Sequence, residues 1–340
     1  MNYFVWFKFY TSGWGGHELM AVNNIKALLN INTGIYISCT DPFVKNKLIE
    51  ENPCLADFIV EINSVELDNK NTTEVVVTNS ILRLTRHIID GSLGWHKIFK
   101  SYYYAPFWGF EWNDGFLRLF KKYICKFIGL ILKIRIIGIS PFFFERVGLN
   151  CGIVWPNTIS RKYCTIRGSE TDSLTLINIG RLDFKHKQQD KLIDWFTNFA
   201  PRLRCPIEKL IIIGSGKDES KIKNKIFYSK NILLLEWSNE IIIPEKSILV
   251  ICSKFEGLPL VALEAMASNI PIIYHRECGL DKLLDSCCAF DIINSESVEL
   301  ALNYVNKNWD QIIRSNFSTY SKLHSTDANH KAIINWIQKL

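Results

Sequence analysis

No stretch of this 340-residue chain reaches the roughly 20 apolar residues that a membrane-spanning helix needs. The apolar run Ile128 to Leu132 falls far short, because Lys126, Lys133 and Arg135 lie close on either side. The start, Met1 to Tyr10, alternates like a strand and has neither a long apolar core nor a small-residue cleavage site, so nothing there reads as a secretory leader. Ten cysteines contain no CxxC pair and no metal-like Cys/His spacing, which argues against a zinc site and a disulfide framework. Cys39, Cys125 and Cys252 instead occupy apolar segments as small core residues do, and the vicinal Cys287-Cys288 reads as inert. A reduced, cytoplasmic protein is expected, and the sequons at Asn71 and Asn316 then count as chance. Short-period repeats, low-complexity tracts and nucleic-acid-binding motifs are all missing.

What is present is a globular composition, 48% hydrophobic and 22% charged, in a chain too long for one core. Two α/β domains are expected. In the first, a strand over residues 2–10 runs into Gly13, Gly15 and Gly16, then a helix from Glu18 to Leu29 and a strand from Gly34 to Cys39. Further strands are predicted at Val75–Thr78 and Ile134–Ile139, with a helix over Phe116–Leu132. A second strand-helix-strand series starts at Leu174–Ile179 and continues through a helix near Asp190–Phe199 and strands Lys209–Ile213 and Ile232–Leu235. The poorly patterned stretch Trp155 to Ser173 is the linker candidate. Aromatic residues crowd Tyr102 to Trp112, and Arg118, Lys121, Lys122 and Lys126 follow. That segment admits two readings, a buried helix with solvated lysines or a basic amphipathic helix at a membrane surface. The net charge of +6 suits an anionic surface but does not choose one.

The most informative segment is Ser253 to Pro271, SKFEGLPLVALEAMASNIP, in which Glu256 and Glu264 stand in an apolar strand-turn-helix. Ser247 to Cys252 reads as a buried parallel strand and Pro259 as the opening of a helix to Ser268. A carboxylate at Glu264, on the side of Leu260 and Val261, requires hydrogen-bond donors, and sugar or ribose hydroxyls are suitable. Arg181, in Gly180-Arg181-Leu182 at the end of a parallel strand, and Lys187 shortly after can together neutralise a diphosphate. Gly214-Ser-Gly216 follows the next strand, allowing a close approach by a ligand or simply a tight turn. The backbone at Gly257, Leu258, Pro259 and Leu260 forms a helix start suited to an anion.

Taken together, GRL with Lys187, the GSG after an apolar strand, and EGLPLVALEA resemble the donor domain of the retaining glycosyltransferases of family 4, glycosyl transferases group 1. Trp14-Gly15-Gly16-His17-Glu18 is similar to that family's N-terminal Gly-Gly loop, and Gly138 to Pro141 with Val154 to Asn157 resembles the end of its acceptor domain. The resemblance implies a GT-B fold, two Rossmann-like domains facing each other across a cleft. The expected division is an acceptor domain at 1–156, a nucleotide-sugar donor domain at 157–325, and a helix at 326–340 that can pack back on the first domain. It further implies that Glu256 contacts the donor sugar, Glu264 the ribose diol, and Arg181 and Lys187 the diphosphate, with Gly15 and Gly16 contributing to donor binding. No metal or other cofactor is then required, and the Asp-x-Asp of metal-dependent glycosyltransferases is missing.

Three departures stand out: Gln188 where a glycine commonly follows the lysine, Asn269 where one precedes the proline, and Thr78-Asn79-Ser80 where a histidine often follows a strand. On the acceptor side His17 is a candidate or a turn histidine facing water, and Arg83, Arg86 and His87 can meet an anionic acceptor. Trp237 reads as core in preference to a neighbour of the base. The expected activity is transfer of a hexose-type sugar from a nucleotide sugar to a glycan, plausibly lipid-linked, in bacterial surface polysaccharide (O-antigen or capsule) synthesis, with peripheral contact at the inner face of the cell membrane and no nucleic acid partner. The alternatives are a sugar-nucleotide epimerase and a noncatalytic nucleotide-sugar-binding subunit.

Overall fold

Runs rich in Ile, Val and aromatic residues, buried on both faces, organise each half of the chain into a parallel sheet. The structure, a computed structural model, describes residues 4–11, 16–30, 33–61, 72–78, 101–104, 123, 127, 135–140, 142, 153–159, 162–166, 173–203, 206–238 and 240–340. Two compact units result, Met1–Thr158 with Thr326–Leu340, and Ile159–Ser325.

The first unit contains β1 (Phe4–Phe9), β2 (Gly34–Cys39), β3 (Thr72–Val77), β4 (Tyr102–Tyr104), β5 (Ile136–Gly138) and β6 (Ile153–Val154). They lie in the order β2-β1-β3-β4-β5-β6, every pair parallel. Strand β1 is central, so Val5 to Phe9 are all buried despite the alternating sequence. Its one charge, Lys8, is matched inside: Nζ lies 2.7 Å from Glu74 Oε1 and 3.8 Å from the centre of the Trp6 ring, and Ser101 Oγ donates to Glu74 Oε2 at 3.0 Å. Such burial is tolerable only because the charge is paired.

Tyr102–Tyr104 belong to this sheet, with Tyr103 and Tyr104 buried. That part of the aromatic stretch is therefore packed in the core, with Trp336 against Tyr102 and Trp155 and His17 against Tyr104. The rest of that stretch, Arg118, Lys121, Lys122 and Lys126, and the predicted helix apart from positions 123 and 127, lie outside the described residues. Among the described residues no helix is long and apolar enough to cross a membrane.

Helix α1 (Gly16–Leu29) returns from the loop after β1 and precedes α2 (Pro42–Glu51). The chain's last helix, Thr326–Ile337, belongs to this unit. Asn329 Nδ2 donates to Asn24 Oδ1 at 2.9 Å and to the Pro156 carbonyl at 2.8 Å, and Trp336 meets Trp155 edge-on at 5.0 Å.

The second unit starts within the stretch read as linker. Cys164–Ile166 is strand β7, and it pairs with β11 (Ile242–Pro244) because Cys164 N–H donates to the Ile241 carbonyl at 3.0 Å. The main sheet comprises β8 (Leu174–Ile179), β9 (Ile207–Ile213), β10 (Ile232–Leu235), β12 (Ser247–Ile251), β13 (Ile272–His275) and β14 (Ala289–Phe290). Its order is β10-β9-β8-β12-β13-β14, again all parallel. From β8 the chain builds outward to β10, then crosses back and builds the other way from β12. The reversal between β8 and β12 leaves a crevice at their carboxyl ends, where doubly wound sheets collect ligands.

Four helices of this unit bear on the site: α3 (Phe184–Lys187), α4 (Gln189–Phe199), α5 (Glu219–Ile226) and α6 (Leu260–Ala267). Helix α6 ends in a Schellman motif, with Ile270 N–H bonded to the Ala265 carbonyl at 3.0 Å and Asn269 left-handed at φ +57°. Gln188, between α3 and α4, is left-handed too, at φ +54°. Both residues that replace an expected glycine thus hold the conformation that glycine adopts without strain. Replacing the exposed Asn269 by glycine is expected to raise the unfolding free energy by up to about 1 kcal/mol, and Asn269→Val to lower it by ~1 kcal/mol or more. Urea midpoints at unchanged m-value test both.

Candidate functional site

Two loops meet where β8 and β12 end, and a ladder of polar contacts joins them. Asn178 on β8 starts it, donating Nδ2–H to the Val250 carbonyl on β12 at 2.8 Å. Beyond the strands, Cys252 Sγ donates to the Lys187 carbonyl at 2.9 Å and Lys254 N–H to the His186 carbonyl at 2.9 Å. His186 Nε2 lies 2.6 Å from the Phe255 carbonyl, which can only accept, so Nε2 carries the proton. The ladder ends at the charged pair, Lys187 Nζ to Glu256 Oε1 at 2.5 Å.

Electrostatics follow from that enclosure. Burial pushes the Glu256 carboxyl up, but Lys187, His186 and Ser253 together outweigh it and hold the group below the usual carboxylate range. Burial also lowers the His186 imidazole, the Glu256 carboxylate opposing it. The Cys252 thiol is pushed up to about 12, chiefly by burial, which makes it inert as a nucleophile.

Arg181 follows β8 directly. Its side chain is 62% exposed, with Nη2 4.0 Å from Asp183 Oδ2, while Lys217 holds Asp183 Oδ1 at 3.0 Å. Burial raises the Asp183 carboxyl, and Lys217 and Arg181 more than offset it, so it stays ionised. The stretch after β8 therefore presents a half-buried cation, Lys187, held on Glu256, and an exposed one, Arg181, at its start.

Glycine has a specific task here. Gly214 has φ +155°, and a Cβ there would overlap the Gly180 carbonyl oxygen; one at Gly216 would overlap that of Leu182. Leu182 N–H donates to the Ser215 carbonyl at 2.9 Å. The GSG segment thus brings its backbone against the Gly180-Arg181-Leu182 loop, and this accounts for its glycines without a ligand. At Gly180 a Cβ would meet no backbone and would lie in ordinary contact with Lys187, 3.7 Å from Nζ.

At the start of α6, Gly257, Leu258 and Leu260 are half-buried and Pro259 is buried. Pro259 has no side chain that can accept from the first-turn amides, so the positive end of α6 is uncapped by its own N-cap. Glu264 lies on α6 and is 2% exposed. One of its donors is a residue the sequence did not indicate: Tyr163 Oη donates to Glu264 Oε2 at 2.7 Å. Tyr163 lay within the supposed linker, and no local pattern could place it 101 residues from its partner. His186 and Ser253 were missed for the same reason.

Trp237 corrects a second expectation. It is 43% exposed instead of core, because it follows β10, the edge strand of the sheet. In the first unit the strand order reverses between β1 and β3, and Gly16 opens α1 in the connection that follows β1. His17 is in the first turn of α1 and does not face water as a turn residue. Its ring stacks on Tyr104 at 5.2 Å, and burial pushes its pKa down to about 3, the Thr78 backbone pulling the other way. Gly15, Arg83, Arg86 and His87 lie outside the described residues.

Residues 162–314 match the family described as Glycosyl transferases group 1. Over 136 residues the chain is 30% identical to an uncharacterized glycosyltransferase of Haemophilus influenzae, covering 38% of this chain and 37% of that one. The match therefore spans little more than a third of the curated relative's length. Among solved structures, the apo form of the lipopolysaccharide outer core galactosyltransferase WaaB superposes with a TM-score of 0.67 at 15% identity, over 99% of both chains. A glycosyltransferase from Rickettsia africae superposes with a TM-score of 0.69 at 11% identity, over 99% of this chain and 98% of that one. These likenesses concern the fold: two Rossmann-like α/β units of the GT-B glycosyltransferase type.

Two substitutions test the geometry. Lys187→Met leaves Glu256 buried without its cation, an expected loss of about 3–5 kcal/mol at neutral pH. The Glu256 carboxyl is depressed in the fold, so its stabilisation is present above its unfolded pKa of roughly 4.3 and is lost as pH falls through the folded value. Melts across the acid range are thus expected to lose less stability in Lys187→Met than in wild type. Gly214→Ala, forced against the Gly180 carbonyl, is expected to lower stability by more than about 2 kcal/mol in the same melts.

Proposed function

We propose that the chain is a glycosyltransferase that takes a glycosyl group from a nucleoside-diphosphate sugar. The observation that carries the reading is the charged pair Lys187–Glu256 at the switch point between β8 and β12, with Arg181 open beside it and the start of α6 following Glu256. Departure of a nucleoside diphosphate leaves negative charge on its β-phosphate. Lys187 and the first-turn amides of α6 are fixed before that charge develops, which lowers the barrier by electrostatic preorganisation, and the exposed Arg181 is free to close on the diphosphate as it arrives.

In this reading Lys187 is shared. It holds Glu256 ionised and oriented toward the hydroxyls of the donor sugar, and it turns part of its field to the diphosphate. Glu264 on α6 binds the ribose diol. The two cations supply the charge that a divalent metal supplies elsewhere, so the reaction runs without one. Configuration at the anomeric carbon is retained, the acceptor hydroxyl attacking from the leaving-group face and passing its proton to a departing phosphate oxygen. Glu256 takes no covalent part. The donor sugar is a hexose, and the acceptor is a glycan of bacterial surface polysaccharide, lipid-linked and met at the inner face of the membrane. The likeness to WaaB, itself a lipopolysaccharide outer core galactosyltransferase, supports that acceptor class.

The test presents purified protein with a panel of nucleotide sugars and a membrane lipid extract, following nucleoside diphosphate release and label transfer. Acceptor-dependent release with transfer is expected. Isomerisation without acceptor identifies an epimerase, and binding without turnover a noncatalytic subunit. Glu256→Gln and Arg181→Ala are each expected to lower kcat by about 10²–10³-fold while a cooperative melt is retained. Transfer at the wild-type rate in Glu256→Gln sinks the assignment.

A further inference from the structure

Glu264 is fixed from two directions by a single residue far away in sequence. Tyr163 Oη donates to its Oε2 at 2.7 Å, while Tyr163 N–H donates to Ser268 Oγ at 2.8 Å, and Ser268 Oγ donates in turn to the Glu264 carbonyl at 2.7 Å. Tyr163 itself is 6% exposed. The residue immediately after it begins β7, which pairs with β11, so the segment is anchored on its other side as well.

From this closed arrangement we infer that Tyr163 is a positioning residue for the Glu264 carboxylate, fixing the orientation in which it meets the 2′- and 3′-hydroxyls of a ribonucleotide. The inference rests on the donor-site reading above. An ionised carboxylate has about four acceptor positions, so a phenol on Oε2 is compatible with a ribose diol on the same group. Rotation about the last bond of a Glu side chain is soft and roughly two-fold. A buried hydroxyl on one oxygen removes that freedom and holds the other acceptor positions in one place. A gate that swings away on binding is a poorer fit, because Tyr163 is held by its main chain as well as by its phenol. Tyr163→Phe removes the phenolic donor and keeps the ring, and so loosens the orientation of the carboxylate.

Selectivity for ribose, more than overall affinity, reports this role. Calorimetric titration of the full chain with UDP, GDP and ADP identifies the nucleotide bound, and its 2′-deoxy and 2′,3′-dideoxy analogues give the ribose preference. Wild type is expected to prefer the ribonucleotide by 10-fold or more, and Tyr163→Phe to reduce that preference to within about threefold. A loss of packing alone weakens all three ligands in proportion and leaves the ratio unchanged. Ser268→Ala loosens the main-chain tie without removing the phenol, and is expected to shift the ratio in the same sense by less. An unchanged ratio in folded Tyr163→Phe overturns the inference, and Ser268→Ala alone decides it if Tyr163→Phe does not fold. Wild type that binds none of the three nucleotides overturns the donor-site reading first, and this inference with it.

Discussion

The second unit is organised around an ion pair that bridges its topological switch point. Lys187, at the end of α3, and Glu256, in the loop after β12, are 69 residues apart and meet at 2.5 Å in an enclosure that leaves Glu256 only 7% exposed. A buried pair of this kind gives little net stability, since the desolvation of both ions opposes their attraction. Its effect is positional. Once the charges must meet, the loop after β8 and the loop after β12 have to run side by side, and the bonds from Cys252, Lys254 and His186 hold them there.

That constraint propagates outward. The Gly180-Arg181-Leu182 loop is pressed from the other side by Gly214 and Gly216, whose missing side chains allow backbone to touch backbone. Arg181 keeps its charge in solvent, while Lys187 is held on Glu256. The two cations are therefore unequal: one is prearranged and partly shielded from water, the other hydrated and able to move toward an arriving anion. Glu264 repeats the logic of Glu256 with a neutral partner, a phenol in place of an ammonium.

Much of the framework was legible in the sequence for local reasons. Leu174–Ile179, Ile232–Leu235 and Gly34–Cys39 coincide with the observed strands, because continuous apolar runs bounded by turn residues have few other uses. The helix predicted near Asp190–Phe199 differs from the observed one by a single residue. Misreadings arose where local pattern and tertiary setting part. Tyr102–Tyr104, in a stretch that admitted a buried or a membrane-surface reading, forms the buried strand β4, and Trp237 has the bulk of a core residue but follows an edge strand. Cys164–Ile166 reads as linker because a three-residue strand has no periodicity of its own.

The sequence by itself determined which residue types were available and roughly where along the chain: two carboxylates in an apolar strand-turn-helix, an Arg and a Lys after one parallel strand, glycines after the next. It also marked positions 188 and 269 as departures, and both proved to be left-handed backbone positions. Only the tertiary structure decided who meets whom. The partners of Glu256 and Glu264 are Lys187 and Tyr163, 69 and 101 residues away. Spacing along the chain encodes periodicity within an element, whereas a contact across the sheet depends on strand order, and strand order is fixed by packing the whole unit at once.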